Sequence, residues 1–223
     1  PFIEYLDYSH LTFDEMLVTN KIDSESQYIF ELSTPNLFRF LVIEFSGNEY
    51  ALLFVVHHII FDGWSMGIFF RDLSAFYNDY IANNETNVKA VDIQYADFAV
   101  WQRENFQNQI LEEQVTYWKF LLKNSPRLSV LPPDFIRPRT FTHAGGSFSI
   151  VFEQPKVVKS FCKQSDISLS MFFLSLFYCL IYRYTGQQDL ILGVPSANRN
   201  QKEIENTIGF FVNMLPLRLT FSD

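Results

Sequence analysis

The run His57-His58-Ile59-Ile60-Phe61-Asp62-Gly63-Trp64-Ser65 places two imidazoles, a carboxylate, a glycine and a hydroxyl within nine residues. It follows an apolar, strand-like stretch and precedes a helix-like one, and loops at such junctions commonly hold catalytic groups on a rigid scaffold. With strand geometry, His57 and His58 would point to opposite faces. At most one of them would enter a given cleft, and its neighbour would pack or hydrogen-bond behind it. Two roles compete for Asp62, which lies four positions after His58: orienting the imidazole as in a triad, or pairing as a buried carboxylate with an arginine that holds the loop. The residues themselves leave both open. Two structural histidines, satisfied inside a core, are the commoner reading of an arbitrary pair. A zinc site would need three or four ligands, and the remaining imidazoles, His10 and His143, stand at no metal spacing, so no metal is expected.

The elements that must position this run follow from patterning. Leu37 to Phe45 and Tyr50 to Val56 are rich in Leu, Val, Ile and Phe and flank Gly47 and Asn48, the pattern of a hairpin. Ser65 is expected to cap a helix carrying Ile68, Phe69, Leu73, Phe76, Tyr77 and Tyr80 at helical spacing, packed back on that hairpin. A longer helical region runs from about Tyr95 to Lys123 with room for a break midway. Pro126, Pro132, Pro133 and Pro138 then forbid regular helix and suggest a linker and a domain boundary. Beyond it, Ser147 to Glu153 alternates like a strand, and Ser168 opens an apolar helix stopped near Thr185 by Gly186. Asp189 to Val194 and Phe210 to Leu219 read as further strands. Strands and helices mix throughout, so the class is α/β, in an α+β two-layer form. The first thirty residues carry no distinctive signal.

Composition narrows the function classes. At 223 residues and 48% hydrophobic content the chain can fill a sizeable core, and its 17% aromatic against 19% charged residues leaves unusually little polar surface. Some apolar surface is expected to meet further chain, and Pro1 to Tyr8 read as the middle of something longer. A net charge of −8 without a Lys/Arg cluster argues against nucleic acid. Cys162 and Cys179 lie in apolar helical surroundings and are expected to be buried thiols in a reducing compartment. No basic stretch precedes an apolar run, and charge or Ser interrupts every apolar window before bilayer length, so neither export nor a membrane is expected and the cytoplasm is the expected location.

Several strings together carry a resemblance. His57 to Gly63 matches HHxxxDG, which in its shorter HxxxDG form also occurs in chloramphenicol acetyltransferase-like acyltransferases. Tyr95-Ala96-Asp97-Phe98-Ala99-Val100-Trp101-Gln102 resembles YxDFAVWQ, Gly193-Val194-Pro195-Ser196-Ala197-Asn198-Arg199 resembles GxPxANR, and Ile208-Gly209-Phe210-Phe211-Val212-Asn213-Met214-Leu215-Pro216-Leu217-Arg218 resembles IGxFVNTLPLR. In this order, from about Glu31 onward, they are similar to the motifs of condensation domains of nonribosomal peptide synthetases. Phe61 stands where a small residue is common and Met214 where Thr is usual. The family's opening motif, and its closing motifs after the last of these strings, have no counterpart in the chain.

The resemblance implies a chloramphenicol acetyltransferase-like fold of two lobes, each incomplete here, with a tunnel between them. Residues 1–123 would be the end of the first lobe, 124–141 a Pro-rich linker, and 142–223 the start of the second. It implies amide-bond formation between a carrier-bound acyl or peptidyl thioester and the amine of a carrier-bound aminoacyl group. His58 would be the catalytic residue, supported by His57, Asp62 and Gly63, with the Gly63 N–H near the thioester. Trp64, Ser65 and Asn213 would line the substrate passage, and Asp62 would form a structural salt bridge with Arg199 across the lobes. No cofactor would be bound by the domain itself, because substrates arrive on phosphopantetheine arms. The implied partners are upstream and downstream peptidyl carrier domains and an adenylation domain. Gly63-Trp64-Ser65-Met66-Gly67 looks like the condensing rather than the epimerising type, and the two histidines differ from the aspartates of heterocyclising relatives. The alternatives are a stand-alone coenzyme A-dependent acyltransferase and a condensation-like domain that only recruits other proteins.

Overall fold

A computed structural model describes residues 3–107, 109–126, 131–136, 138–140, 145–152 and 155–222. The chain divides into two compact units, one of residues 1–107 and 196–213, the other of 108–195 and 214–223. The division therefore does not follow the Pro-rich stretch 124–141, which lies inside the second unit. The segment 196–213 returns to the first. Of the expected linker, residues 127–130, 137 and 141 lie outside the described residues.

In the first unit, β1 (Ile3–Tyr8), β2 (Phe38–Phe45) and β3 (Glu49–Val56) form a sheet with β2 in the centre. β1 runs parallel to β2, pairing Ile3 with Phe40 and Tyr8 with Phe45. β3 runs antiparallel, pairing Phe38 with Val56 and Phe45 with Glu49. The hairpin turn holds because Gly47 (φ 77°) and Asn48 (φ 61°) both adopt the left-handed region, which glycine and asparagine tolerate.

Strand alternation sorts the side chains of β2 and β3 onto two faces. Leu41, Ile43, Phe45 and Leu53 form a buried cluster on one face, covered in part by Leu17 and Val18 of α1 (Glu15–Ser26), whose start is capped by Asp14. On the other face Phe40 and Phe54 stack on Phe69 of α2 (Gly63–Ile81), at 5.9 and 4.5 Å between ring centroids. The expected packing of the helix on the hairpin is thus present. Its cap is Asp62, not Ser65: the Asp62 carboxylate accepts from the Ser65 N–H at 2.8 Å, which puts Ser65 inside the first turn. The long helical region is interrupted, giving α3 (Tyr95–Asn105) in the first unit and α4 (Gln109–Leu121) in the second.

The second unit also contains α5 (Pro155–Gln164), α6 (Leu169–Thr185) and, except for their end residues Ser196 and Asn213, β4 (Asp189–Ser196) and β5 (Asn213–Thr220), with β4 paired to β5. Ser168 caps α6 by accepting from the Met171 N–H, and Gly186 ends it at φ 68°. Tyr178, Ile181 and Leu190 are its core, with Phe221 stacked on Tyr182 at 4.6 Å. Arg218 of β5 makes a two-point ion pair with Asp189 of β4, at 2.8 and 2.6 Å, and donates to the Leu121 and Lys123 carbonyls at the end of α4. That pairing holds the Asp189 carboxyl below its ordinary pKa, mainly through the Arg218 hydrogen bonds.

Two further expectations fail. Residues 147–152 form no strand, and Phe148 and Ile150 are 88% and 80% exposed. Alternation marks a strand only where a neighbour completes the ladder, and among the described residues none does. Residue 153 lies outside the described residues. Cys162 is buried as expected, but Cys179 is exposed, because α6 turns that side away from its core. Among the described residues no single helix is long and apolar enough to cross a bilayer.

Candidate active site

β3 ends at Val56, and the chain enters a short 3-10 turn at His58–Ile60 before α2 begins. His57 is still extended (φ −71°, ψ 131°), and its N–H donates to the Leu37 carbonyl at 2.9 Å. Its Nδ1 accepts from the Ile59 N–H at 3.1 Å, and its ring meets Phe30 edge to face. A nitrogen that accepts carries no proton, so neutral His57 bears its hydrogen on Nε2. His58 differs. Its side chain is exposed, and its ring lies perpendicular to that of Phe210, with centroids 5.2 Å apart.

Asp62 is 3% exposed, and both its oxygens are engaged. Oδ1 accepts from the Ser65 N–H and hydroxyl, each at 2.8 Å, and from Arg199 Nη2 at 3.2 Å. Oδ2 accepts from the Phe211 N–H at 3.0 Å. Among the described residues neither imidazole is a partner of this carboxylate. Burial alone would raise its pKa, but the Ser65 and Phe211 hydrogen bonds and the Arg199 charge outweigh that and hold it below the ordinary value. The carboxylate also sits at the positive end of α2, where negative charge is favoured.

Arg199 is 8% exposed and joins this cluster from the segment 196–213 of the same unit. Nη1 donates to the Ile204 and Thr207 carbonyls at 2.7 and 2.6 Å, and the guanidinium lies 4.1 Å from the Phe211 ring centre. The ion pair is therefore internal to one compact unit rather than a bridge between two. Burial lowers the Arg199 pKa and Asp62 opposes that shift. Ser65, fully buried, completes the knot: its Oγ accepts from the Gly209 N–H at 3.0 Å and from Arg199 at 3.1 Å, and lies 3.0 Å from the Gly209 carbonyl.

Trp64 is half exposed and donates its indole N–H to the Glu205 carbonyl at 2.9 Å. Gly63 is exposed at the first position of α2, and among the described residues its N–H and that of Trp64 have no acceptor. Asn213 is exposed at the first position of β5. Ser65, expected along a substrate passage, is instead inside the buried knot.

Sequence reasoning missed the backbone side of this knot. Tyr95 donates its hydroxyl to the Phe210 carbonyl at 2.9 Å, and Phe98 packs with Ile204 and Phe211. A Cβ on Gly209 would lie 2.3 Å from Tyr95 Cδ2, so only glycine allows that approach. The YxDFAVWQ-like string thus clamps the IGxFVN-like string, and contact between the two could be suspected only from their joint occurrence. Among the described residues no group of three or more His, Cys, Asp or Glu side chains could hold a metal ion.

Comparison with known proteins places the chain in a family. Residues 2–223 match the family model described as "Condensation domain". The chain belongs to the condensation-domain family. Malpinin synthetase of Mortierella alpina is 35% identical over 210 residues, covering 93% of this chain and 3% of the relative. Phosphinothricin tripeptide synthetase PhsC of Streptomyces viridochromogenes is 33% identical over 197 residues, covering 87% of this chain and 18% of the relative. A holo four-domain nonribosomal peptide synthetase bound to AMP and glycine superposes with a TM-score of 0.78 at 27% identity, over 100% of this chain and 16% of that one. The first condensation domain of the calcium-dependent antibiotic synthetase superposes with a TM-score of 0.75 at 21% identity, covering 99% of this chain and 49% of that chain. The chain therefore spans about half of a solved condensation domain and a small fraction of its curated relatives. The fold is the chloramphenicol acetyltransferase-like α/β fold of condensation domains.

Proposed function

We propose that this chain carries the catalytic centre of a nonribosomal peptide synthetase condensation domain, with His58 as its catalytic residue. The reaction is amide formation between an acyl or peptidyl thioester on an upstream carrier and the amine of an aminoacyl group on a downstream carrier. One observation carries the reading: in the HHxxxDG run, Asp62 is wholly engaged in the buried knot and His57 Nδ1 is engaged by the backbone, whereas the His58 side chain is exposed. The imidazole open to an incoming amine is the second one.

Chemically, the amine nitrogen attacks the thioester carbon, a C–N bond forms, the C–S bond breaks and the sulfur leaves on its pantetheine arm. An α-amino group has a reference pKa of about 7.7–8.0, so a usable neutral fraction exists near neutrality without a strong base. His58 accepts the proton that the nitrogen sheds as it becomes an amide, or holds the amine while its positive charge develops. The proton ends on the departing sulfur. The N–H groups of Gly63 and Trp64, at the positive end of α2, are suited to the oxygen of the tetrahedral intermediate. Trp64 and Asn213 would border the substrates, the Asp62–Arg199 pair holds the loop, and no enzyme-bound covalent intermediate is needed. The substrates' pantetheine arms, the carrier domains and an adenylation domain belong to the same proposal, as does a cytoplasmic location.

The test is His58→Ala in the full-length protein, with carrier loading and product formation followed separately by mass spectrometry. Loading should be unchanged, and condensation should fall by about 10²- to 10⁴-fold, the usual worth of a positioned acid–base group. Product at the wild-type rate would overturn the proposal.

A further inference from the structure

We propose that Phe210 is a positioning residue for His58, and that the buried knot around Asp62 serves to fix this one side chain. The inference rests on the reading of His58 as the catalytic group. Three backbone groups in and around Phe210 are tied to other elements. The Gly209 N–H donates to Ser65 Oγ at 3.0 Å, the Phe211 N–H donates to Asp62 Oδ2 at 3.0 Å, and the Phe210 carbonyl accepts the Tyr95 hydroxyl at 2.9 Å. The Gly209 carbonyl lies a further 3.0 Å from Ser65 Oγ. Ser65 and Asp62 are buried, and Asp62 caps the helix that immediately follows the His58 turn. The backbone of Phe210 is thereby held to the structure that carries His58.

The side chain of Phe210 is half-buried and meets the His58 ring perpendicularly, at 5.2 Å between centroids. Among the described residues no hydrogen bond engages the His58 ring, unlike that of His57, whose Nδ1 is held by the Ile59 N–H. An exposed imidazole without a hydrogen-bonded anchor would sample several rotamers, and a proton acceptor must be held in the productive one. An edge-to-face aromatic contact supplies that restraint without a hydrogen bond to either ring nitrogen. Such a pair weights one orientation by about two- to twelvefold. The neighbouring Phe211 does the opposite, being buried with Phe98 and Ile204 and anchoring the segment.

The test uses the full-length protein with Phe210→Ala, Phe210→Leu and Phe210→Tyr. Leu keeps apolar bulk without a ring, which guards against a variant that merely unfolds, and its melting temperature should match the wild type. The first readout is independent of activity: carbethoxylation of His58 by diethyl pyrocarbonate, mapped by peptide mass spectrometry with His10 as internal reference. Modification of His58 should speed up several-fold in the Ala and Leu variants and not in the Tyr variant, with His10 unchanged. The second is the condensation rate, which should fall about two- to twelvefold in Ala and Leu and recover in Tyr. In a His58→Ala background, Phe210→Ala should cost nothing further. Unchanged His58 reactivity, or an equal rate loss in both backgrounds, would overturn the proposal. If His58→Ala alone leaves the rate intact, the functional reading fails, and the modification rates still decide whether Phe210 restrains the ring.

Discussion

Replacing Arg199 with Ala removes the cation from a site where, among the described residues, no other cation pairs with Asp62. The guanidinium is inserted among Asp62, Ser65 and the Ile204 and Thr207 carbonyls, with Nη1 at 2.7 and 2.6 Å from the two carbonyls and Nη2 at 3.2 Å from the carboxylate. Truncating one partner of a buried ion pair costs about 3–5 kcal/mol when the other charge is left bare. Asp62 would not be bare, since the Ser65 N–H, the Ser65 hydroxyl and the Phe211 N–H remain on it. The charge contribution therefore sits below that range, at about 2 kcal/mol, and each orphaned carbonyl adds about 1 kcal/mol. The expected loss is about 4 kcal/mol, or roughly a 10³-fold shift in the opening equilibrium.

Urea denaturation measures the loss globally, and hydrogen exchange of peptides covering residues 204–212 measures it locally. Arg199→Lys keeps a charge but not the planar fork, and should lose about half as much. The double variant Asp62→Asn/Arg199→Met removes both charges and should be less destabilised than the summed singles by about 2–3 kcal/mol. An unchanged denaturation midpoint for Arg199→Ala, or strict additivity in the double variant, would refute the claim that this pair closes the 196–213 segment onto the start of α2.

Two further outcomes follow from the same cluster. Gly209→Ala should destabilise by about 1–3 kcal/mol through overpacking, because the new methyl would meet the Tyr95 ring at 2.3 Å; thermal unfolding should show part of that loss recovered in Gly209→Ala/Tyr95→Leu. The second is an acid response. Asp62 titrates below its ordinary value when folded, so the unfolded chain binds its proton first. Its contribution to stability is present above about pH 4, the unfolded carboxyl value, and is lost as pH falls through the lower folded pKa. Denaturation midpoints measured across that window should fall less steeply for Asp62→Asn than for the wild type, and equal slopes would contradict the assignment.

Local chemistry accounts for what the sequence made legible. The hairpin could be placed because Gly47 and Asn48 supply the two left-handed residues its turn requires, and α6 because Ser168 and Gly186 cap its ends. β1 escapes a reading by pattern because apolar residues alternate faintly along it: Ile3 and Tyr5 are exposed while Leu6 and Tyr8 pack inward. α1 has no buried residue, and its one clear signal is Asp14, whose carboxylate receives the Met16 and Leu17 N–H groups. α5 opens on Pro155, an ordinary first helical residue that the nearby prolines disguise as more linker. The segment 147–152 errs the other way, since alternation is a property of one segment and a ladder belongs to two.

The site repeats this division between what is local and what is paired. That Asp62 caps a helix is a three-residue relation, readable from Asp62 to Ser65, although residue preference alone allows either member of that pair to be the cap. That the same carboxylate also receives Arg199 and the Phe211 N–H joins positions more than a hundred residues apart, for which spacing holds no information. The family resemblance, which implied the Asp62–Arg199 pair, is the sign that the HHxxxDG, YxDFAVWQ, GxPxANR and IGxFVN strings meet, and the structure supplies the reason: each brings a group to one buried cluster. Satisfying Asp62 there removes it as a direct partner of the imidazoles. The two histidines are then distinguished by backbone alone, because the residue that is still extended is drawn into the Ile59 N–H, and the next, at the start of the 3-10 turn, is left facing outward toward Phe210.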